Sequence, residues 1–164
     1  IVLNSLKYLD ISVKKKLKIF ISGDGHNRDK LSKIIKKHGS KNVFLTGYLD
    51  HNDYLLLLKN SDFGLSFYHS HSPVSFPTKV MDYINAQLPV LMSGSIDAAM
   101  VIENNNCGIV IRDESEINIA NEISKMCDKN KLNIFKSNMK KIANNFSSDS
   151  QIDKIVKFVN ESSN

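Results

Sequence analysis

The chain has 164 residues, with 22 Lys and Arg against 17 Asp and Glu, a net charge of +5 and two cysteines. That length suits one α/β domain with a real core, 1–164, and lysines scattered without a long like-charge block give no nucleic-acid arm. Cys107 and Cys127 sit far apart without CxxC spacing, so neither a disulfide framework nor a zinc site is indicated, and no apolar run reaches the roughly 18 residues that span a bilayer. That cysteine usage fits a reducing cytoplasm, and no basic-then-apolar leader opens the chain. The first residue is Ile1 rather than methionine, and the expectation is a piece of a longer protein.

In chain order, 1–9 has helical spacing of its apolar residues without an N-terminal cap, like the tail of a helix. Lys14, Lys15 and Lys16 read as a solvated loop. Residues 17–22 (LKIFIS) form a β-rich run ending in Gly23-Asp24-Gly25, and a helix follows from 27 or 28 to 38. The alternation then repeats: strand 43–46, helix 51–59, strand 63–67, a central helix, strand 90–93, helix 96–103, strand 108–111. Strands and helices in strict turn imply βαβ units and a parallel sheet covered on both faces. The remainder is helical. Ser115 caps a segment to about 127, a second runs 131–144, and a third begins after Ser147 or Ser148.

The central helix lies in the stretch SFPTKVMDYINAQLP, 75–89. Pro77 suits a first helical turn, with Ser75 or Phe76 as cap, and the helix should stop near Ala86 or Gln87 because Leu88 precedes Pro89. Val80, Tyr83 and Ile84 make an apolar stripe, while Thr78, Lys79 and Asp82 share another side. The unpaired N–H groups of the first turn, with Lys79 beside them, can hold a phosphate or diphosphate. Asp82, one turn on, can accept hydrogen bonds from sugar hydroxyls. The plainer reading is a solvated ion pair between Lys79 and Asp82.

Other loops are weaker candidates. Gly23-Asp24-Gly25 follows a strand as a dinucleotide fingerprint would, but Arg28 stands where a third glycine belongs. It is a tight turn or a loop that approaches a ligand. Asp50 and Asp53 read as helix caps rather than catalytic acids. Tyr48, at the carboxyl end of a strand, could stack on a base or be an ordinary loop tyrosine. The loop YHSHSPVS, 68–75, could hydrogen-bond a sugar; His69 and His71 lack a third partner at metal spacing, so no metal is expected.

The ordered series LKIFISGDG, VFLTGYLDHNDYLLLLKNSDFGLSFY, SFPTKVMDYINAQLPVLMS and NNNCGIVI resembles the C-terminal half of a GT-B glycosyltransferase of the glycosyl transferases group 1 family, especially bacterial capsule and lipopolysaccharide enzymes. The resemblance covers nearly the whole chain. It implies a Rossmann-like parallel sheet with helices on both faces, a helical C-terminal tail, and a nucleoside-diphosphate sugar, UDP or GDP type, as substrate rather than a cofactor. It places Asp82 on the ribose, where the family usually has Glu, and the amides of Phe76, Thr78 and Lys79 on the sugar and diphosphate; Pro77 has no amide to give. The family's second acidic residue falls at Val74, with Ser72 or Ser75 as substitutes, and Gly47, Tyr48 and Leu49 resemble its base-binding turn. The Arg and Lys that clamp the diphosphate, and the first strand of this half, would precede Ile1. Without that strand the sheet should have exposed inner edges and the isolated chain marginal stability.

The expectation is thus the donor-binding domain of a retaining, metal-independent transferase acting on a surface polysaccharide or lipid-linked acceptor. This piece alone should hold no catalytic residue and catalyse nothing. The parent would carry an N-terminal acceptor domain, with room for peripheral association at the inner face of a membrane. The alternatives are another GT-B enzyme, such as a nucleotide-sugar 2-epimerase, or a non-catalytic Rossmann-like interaction module.

Overall fold

The computed structural model describes residues 1–37, 41–68 and 72–146. The chain opens with the short helix α1 (Val2–Ser5), a 3-10 turn (Leu6–Tyr8) and α2 (Ile11–Lys16). There follow β1 (Ile19–Ser22), α3 (Arg28–Lys37), β2 (Val43–Gly47), α4 (His51–Lys59), β3 (Gly64–Phe67), α5 (Thr78–Asn85), β4 (Val90–Ser93), α6 (Ile96–Asn104) and β5 (Gly108–Ile111). Two longer helices close the described chain, α7 (Glu116–Met126) and α8 (Lys129–Phe146). The helix expected after Ser147 lies outside the described residues.

Two sequence expectations need correction. Lys14, Lys15 and Lys16 are not a loop but the last turn of α2. Cations there face the partial negative charge of a helix C-terminus, which offsets their mutual repulsion. The helix expected at 131–144 is longer at both ends: the Asp128 carboxylate accepts from the Lys131 N–H at 2.8 Å and starts it early.

All ladders are parallel, in two sheets. β1 pairs with β2, Ile19 opposite Val43, and β4 lies between β3 and β5, with Gly64 opposite Val90 and Val90 opposite Gly108. Among the described residues no strand pairs with the free side of β1 or of β3, and 1–9 is helical rather than extended. In the strand order of a dinucleotide-type sheet a further strand stands between these two edges, the place where the sequence reading left a gap.

β4 is buried on both faces, as the centre of a parallel sheet should be, with Val90, Leu91 and Met92 each 0% exposed. Leu91 joins Ile111, Ile119, Ile123, Met126 and Phe135, a cluster that also takes in Leu6, Leu9, Ile19 and Val43. Val90 and Met92 face the other way, onto Val80 and Ile84 of α5, Ala98 and Ile102 of α6, and Met139 and Ile142 of α8. Each such large side chain contributes about 1.5–3 kcal/mol by leaving water. Helices therefore cover both faces of this sheet. Gly108 is required by that closeness: a Cβ on it would lie 2.1 Å from the Val90 carbonyl oxygen. β1 and β2 differ, since Phe20 and Phe44 stack at 5.2 Å on a face that leaves them 46% and 42% exposed.

Candidate functional site

Within each sheet the strands run the same way, so the turns after β1 and β2 open at one edge of their sheet and those after β3 and β4 at one edge of theirs, the kind of edge where open α/β sheets bind ligands. The turn after β3 leads into α5. Pro77 is its N-cap rather than its first helical residue, with extended φ −67 and ψ 137, and Pro cannot offer a capping side chain. No side chain caps α5 and its first turn holds no acidic residue, so the first amides and their partial positive charge remain available. The far end closes in a Schellman turn: Leu88 N–H donates to the Tyr83 carbonyl at 2.8 Å and Gln87 N–H to Ile84 at 2.9 Å. Gln87 takes the left-handed position there, φ 58, that glycine usually fills.

The packing face of α5 is the one the stripe predicts. Val80 and Ile84 are fully buried, and the Tyr83 hydroxyl donates to the Leu65 carbonyl of β3 at 3.1 Å. Burial pushes the Tyr83 phenol up to about 12. Its ring presses on Gly64, where an added Cβ would come within 2.5 Å of it. This contact fixes the rotation of α5 and so decides what the polar side presents.

Lys79 and Asp82 do not form the ion pair that their spacing suggested. The Lys79 ammonium sits 5.1 Å from the centre of the Tyr68 ring, half-buried, and burial lowers its pKa. Tyr68 is held from below, because its N–H donates to the Ser93 carbonyl at 3.2 Å and Gly94, φ 68, packs against its backbone. A Cβ on Gly94 would lie 2.5 Å from the Tyr68 carbonyl oxygen. Asp82 turns instead to α4, where the Tyr54 hydroxyl donates to its Oδ2 at 2.9 Å. Burial first, and then that bond to Asp82, hold the Tyr54 phenol well above its ordinary value.

The remaining expected residues separate into two groups. Ser75 donates its hydroxyl to the Asp97 carboxylate in the first turn of α6, and its carbonyl accepts from the Ala98 N–H at 3.2 Å, so the loop before α5 is tied to the next helix. Ser72 accepts from the Val74 N–H at 3.3 Å, and Phe76 packs its ring 6.1 Å from that of Phe146. Thr78 is exposed. The second group sits on the β1–β2 sheet: the Gly23 N–H donates to the Gly47 carbonyl at 2.8 Å, joining the two turns, and both glycines hold left-handed φ, 121 and 73. Gly25 accepts from the Arg28 N–H at 2.9 Å, and Arg28 pairs with Asp24 at the surface. Tyr48 is 81% exposed and Leu49 half-buried. Asp50 caps α4 as expected, accepting from the Asp53 N–H at 2.8 Å. His69 and His71 lie outside the described residues, among which no group of three metal-ligating side chains converges.

Sequence reasoning missed Tyr54 and Asp97, and gave Tyr68 no role of its own within the loop 68–75. Tyr54 stands in the run DYLLLL as part of an amphipathic helix, and nothing local marks its partner on α5. What the arrangement offers chemically is an anion site at an open helix N-terminus with a half-buried cation, followed one turn later by a carboxylate in a fixed orientation.

The model of the glycosyl transferases group 1 family matches residues 1–146. Among curated proteins, the chain is 28% identical over 115 residues to a chitobiosyldiphosphodolichol beta-mannosyltransferase of Candida glabrata, covering 70% of this chain and 25% of the relative. It is 31% identical over 98 residues to the human protein of the same name, covering 59% and 21%. The chain thus spans about a quarter of the length of the curated relatives it matches. Among solved structures it is similar to WaaG, a glycosyltransferase involved in lipopolysaccharide biosynthesis, at 23% identity and TM-score 0.73, covering 87% of this chain and 38% of that one. It is also similar to Anabaena HepE in complex with UDP-glucose, at 18% identity and TM-score 0.75, covering 98% and 44%. These likenesses bear out the Rossmann-like, GT-B expectation for the fold, and the family match over most of the described residues shows that the chain belongs to the glycosyl transferases group 1 family.

Proposed function

We propose that this chain forms the donor-binding part of a glycosyltransferase that moves a sugar from a nucleoside diphosphate, UDP or GDP type, to a lipid-linked or surface-polysaccharide acceptor. The observation that carries the reading is α5: an uncapped first turn, half-buried Lys79 beside it, and Asp82 one turn further in. In the transfer, the bond from the anomeric carbon to the diphosphate oxygen breaks and the diphosphate leaves with the electron pair, while an acceptor hydroxyl oxygen bonds to that carbon and gives up its proton to the departing diphosphate oxygen. Charge grows on that leaving group. The amides of Phe76, Thr78 and Lys79 and the Lys79 ammonium are placed in this reading to stabilise it, which is how such donors accelerate a reaction. Asp82 would hold the ribose hydroxyls, Gly47, Tyr48 and Leu49 with the Gly23–Gly25 turn would face the base, and Ser72 and Ser75 the donor sugar.

The relatives support the substrate class in their names: a diphosphodolichol-linked acceptor for the mannosyltransferases, and UDP-glucose in the HepE complex. No described helix is long and apolar enough to cross a membrane, and peripheral association of the parent protein with a bilayer that holds its acceptor is part of this proposal. Retention of anomeric configuration and independence from metal belong to the same proposal. Proton NMR of the product and assay in chelator test them in the full-length protein.

Calorimetric titration of this chain with UDP, GDP and their sugars tests the donor site. Selective binding by one base, weakened by about 1–3 kcal/mol in Asp82→Ala and in Lys79→Ala, is the expected result. A folded chain that binds none of them would remove the reading.

A further inference from the structure

We propose that Tyr54 is the positioning residue that aims Asp82 at the ribose, and that it thereby makes the site select ribonucleotides; the inference rests on the donor-site reading above. An aspartate carboxylate rotates freely about its last torsion, which is broad and two-fold rather than staggered. Here one oxygen, Oδ2, accepts the Tyr54 hydroxyl at 2.9 Å from a helix 28 residues earlier, and the plane of the carboxylate is fixed by that anchor. Its second oxygen then has a single direction in which to accept from a ligand hydroxyl. A tyrosine suits this task because its hydroxyl stays protonated at any physiological pH and gives one hydrogen bond without adding charge.

The position of Tyr54 on α4 adds to the argument. α4 begins directly after the Gly47–Leu49 turn and is pinned there by Asp50 on the Asp53 N–H. Tyr54 follows within that first turn, so a single rigid element links the turn read as facing the base to the carboxylate read as holding the ribose. The spacing between base and ribose contacts is therefore set by α4 rather than by a flexible loop. The competing explanation is that Tyr54 merely satisfies a half-buried hydroxyl, and the two differ in what a phenylalanine does to ligands that lack ribose hydroxyls.

The test is calorimetry on the whole chain with the preferred nucleoside diphosphate and with its 2′,3′-dideoxy analogue. Wild type, Tyr54→Phe, Asp82→Ala and the double variant are compared, and melting curves show that each is folded. Tyr54→Phe should weaken the ribonucleotide by about 5- to 10-fold while leaving the dideoxy analogue within about two-fold, and it should cost almost nothing further in the Asp82→Ala background. Equal weakening of both ligands, or a full additional loss in the double variant, would reduce Tyr54 to a structural residue. If Asp82→Ala weakens binding and Tyr54→Phe does not, the Tyr54 role alone falls. If wild type binds neither ligand, or Asp82→Ala changes nothing, the donor-site reading falls and takes the Tyr54 role with it.

Discussion

In β4 every residue is buried, with α5, α6 and part of α8 on one face and α7 with Phe135 of α8 on the other, whereas β1 and β2 bury alternate residues and leave Phe20 and Phe44 stacked on an open face. The difference follows from side-chain period. In β4 the run Val-Leu-Met serves two cores at once, while in β1 and β2 Phe20 and Phe44, paired with each other, serve neither. The closed sheet carries the open helix end with Lys79 and Asp82; the open one carries the glycine turns at 23 and 47. Tyr54 bridges from the second region to the first, so the two parts of the candidate site are held together by a side-chain hydrogen bond and by the cluster that Ile19 and Val43 share with Leu91.

Glycines give the sharpest test of that contrast. Gly108→Ala should destabilise by about 3 kcal/mol or more, since the methyl meets backbone of the neighbouring strand, while Gly25→Ala, with nothing within 4 Å of the new atom, should stay within about 0.5 kcal/mol in urea unfolding. Comparable losses at both positions would erase the distinction. Tyr83→Phe comes next, at about 1–2 kcal/mol for the bond to Leu65 that it forfeits. It also has a pH signature. A phenol raised from its ordinary value of 10.0 to about 12 by burial contributes stability that is present below pH 10 and lost as pH climbs toward 12. The wild-type chain should thus shed up to about 2 kcal/mol across that window, Tyr54 adding in the same direction, and Tyr83→Phe should flatten the decline. The smallest effect belongs to Phe44→Thr, at about 0.5–1 kcal/mol from the lost ring pair, well below what a core aromatic would cost. A loss near 3 kcal/mol would mean that this face is covered after all.

The fold was legible wherever one residue class repeats with a period. LKIFIS, VFLTG and VLMS announced strands, the stripe Val80, Tyr83, Ile84 announced the buried side of α5, and Asp50 announced the cap of α4. What escaped depends on partners distant in the chain. The Tyr54–Asp82 bond spans 28 residues and Ser75–Asp97 spans 22, and neither leaves a trace in local spacing. Lys79 and Asp82 looked paired because i, i+3 neighbours on a helix face each other; the actual partners were the Tyr68 ring for Lys79 and the Tyr54 hydroxyl for Asp82. Lys14, Lys15 and Lys16 misled for a related reason, since a charged run reads as loop unless the helix end it stabilises is already known.

The split between β1 and β3 also bears on how the chain acquires its structure. Each ladder joins strands that are neighbours in sequence, Ile19 with Val43, Gly64 with Val90, Val90 with Gly108, separated by a single helix and its turns. Loops of that kind close at modest entropic cost, and among the described residues no strand pairing joins the two ladders. With Phe20 and Phe44 open to solvent, β1 and β2 bury less than β4, and their amide protons should exchange ahead of those of β4.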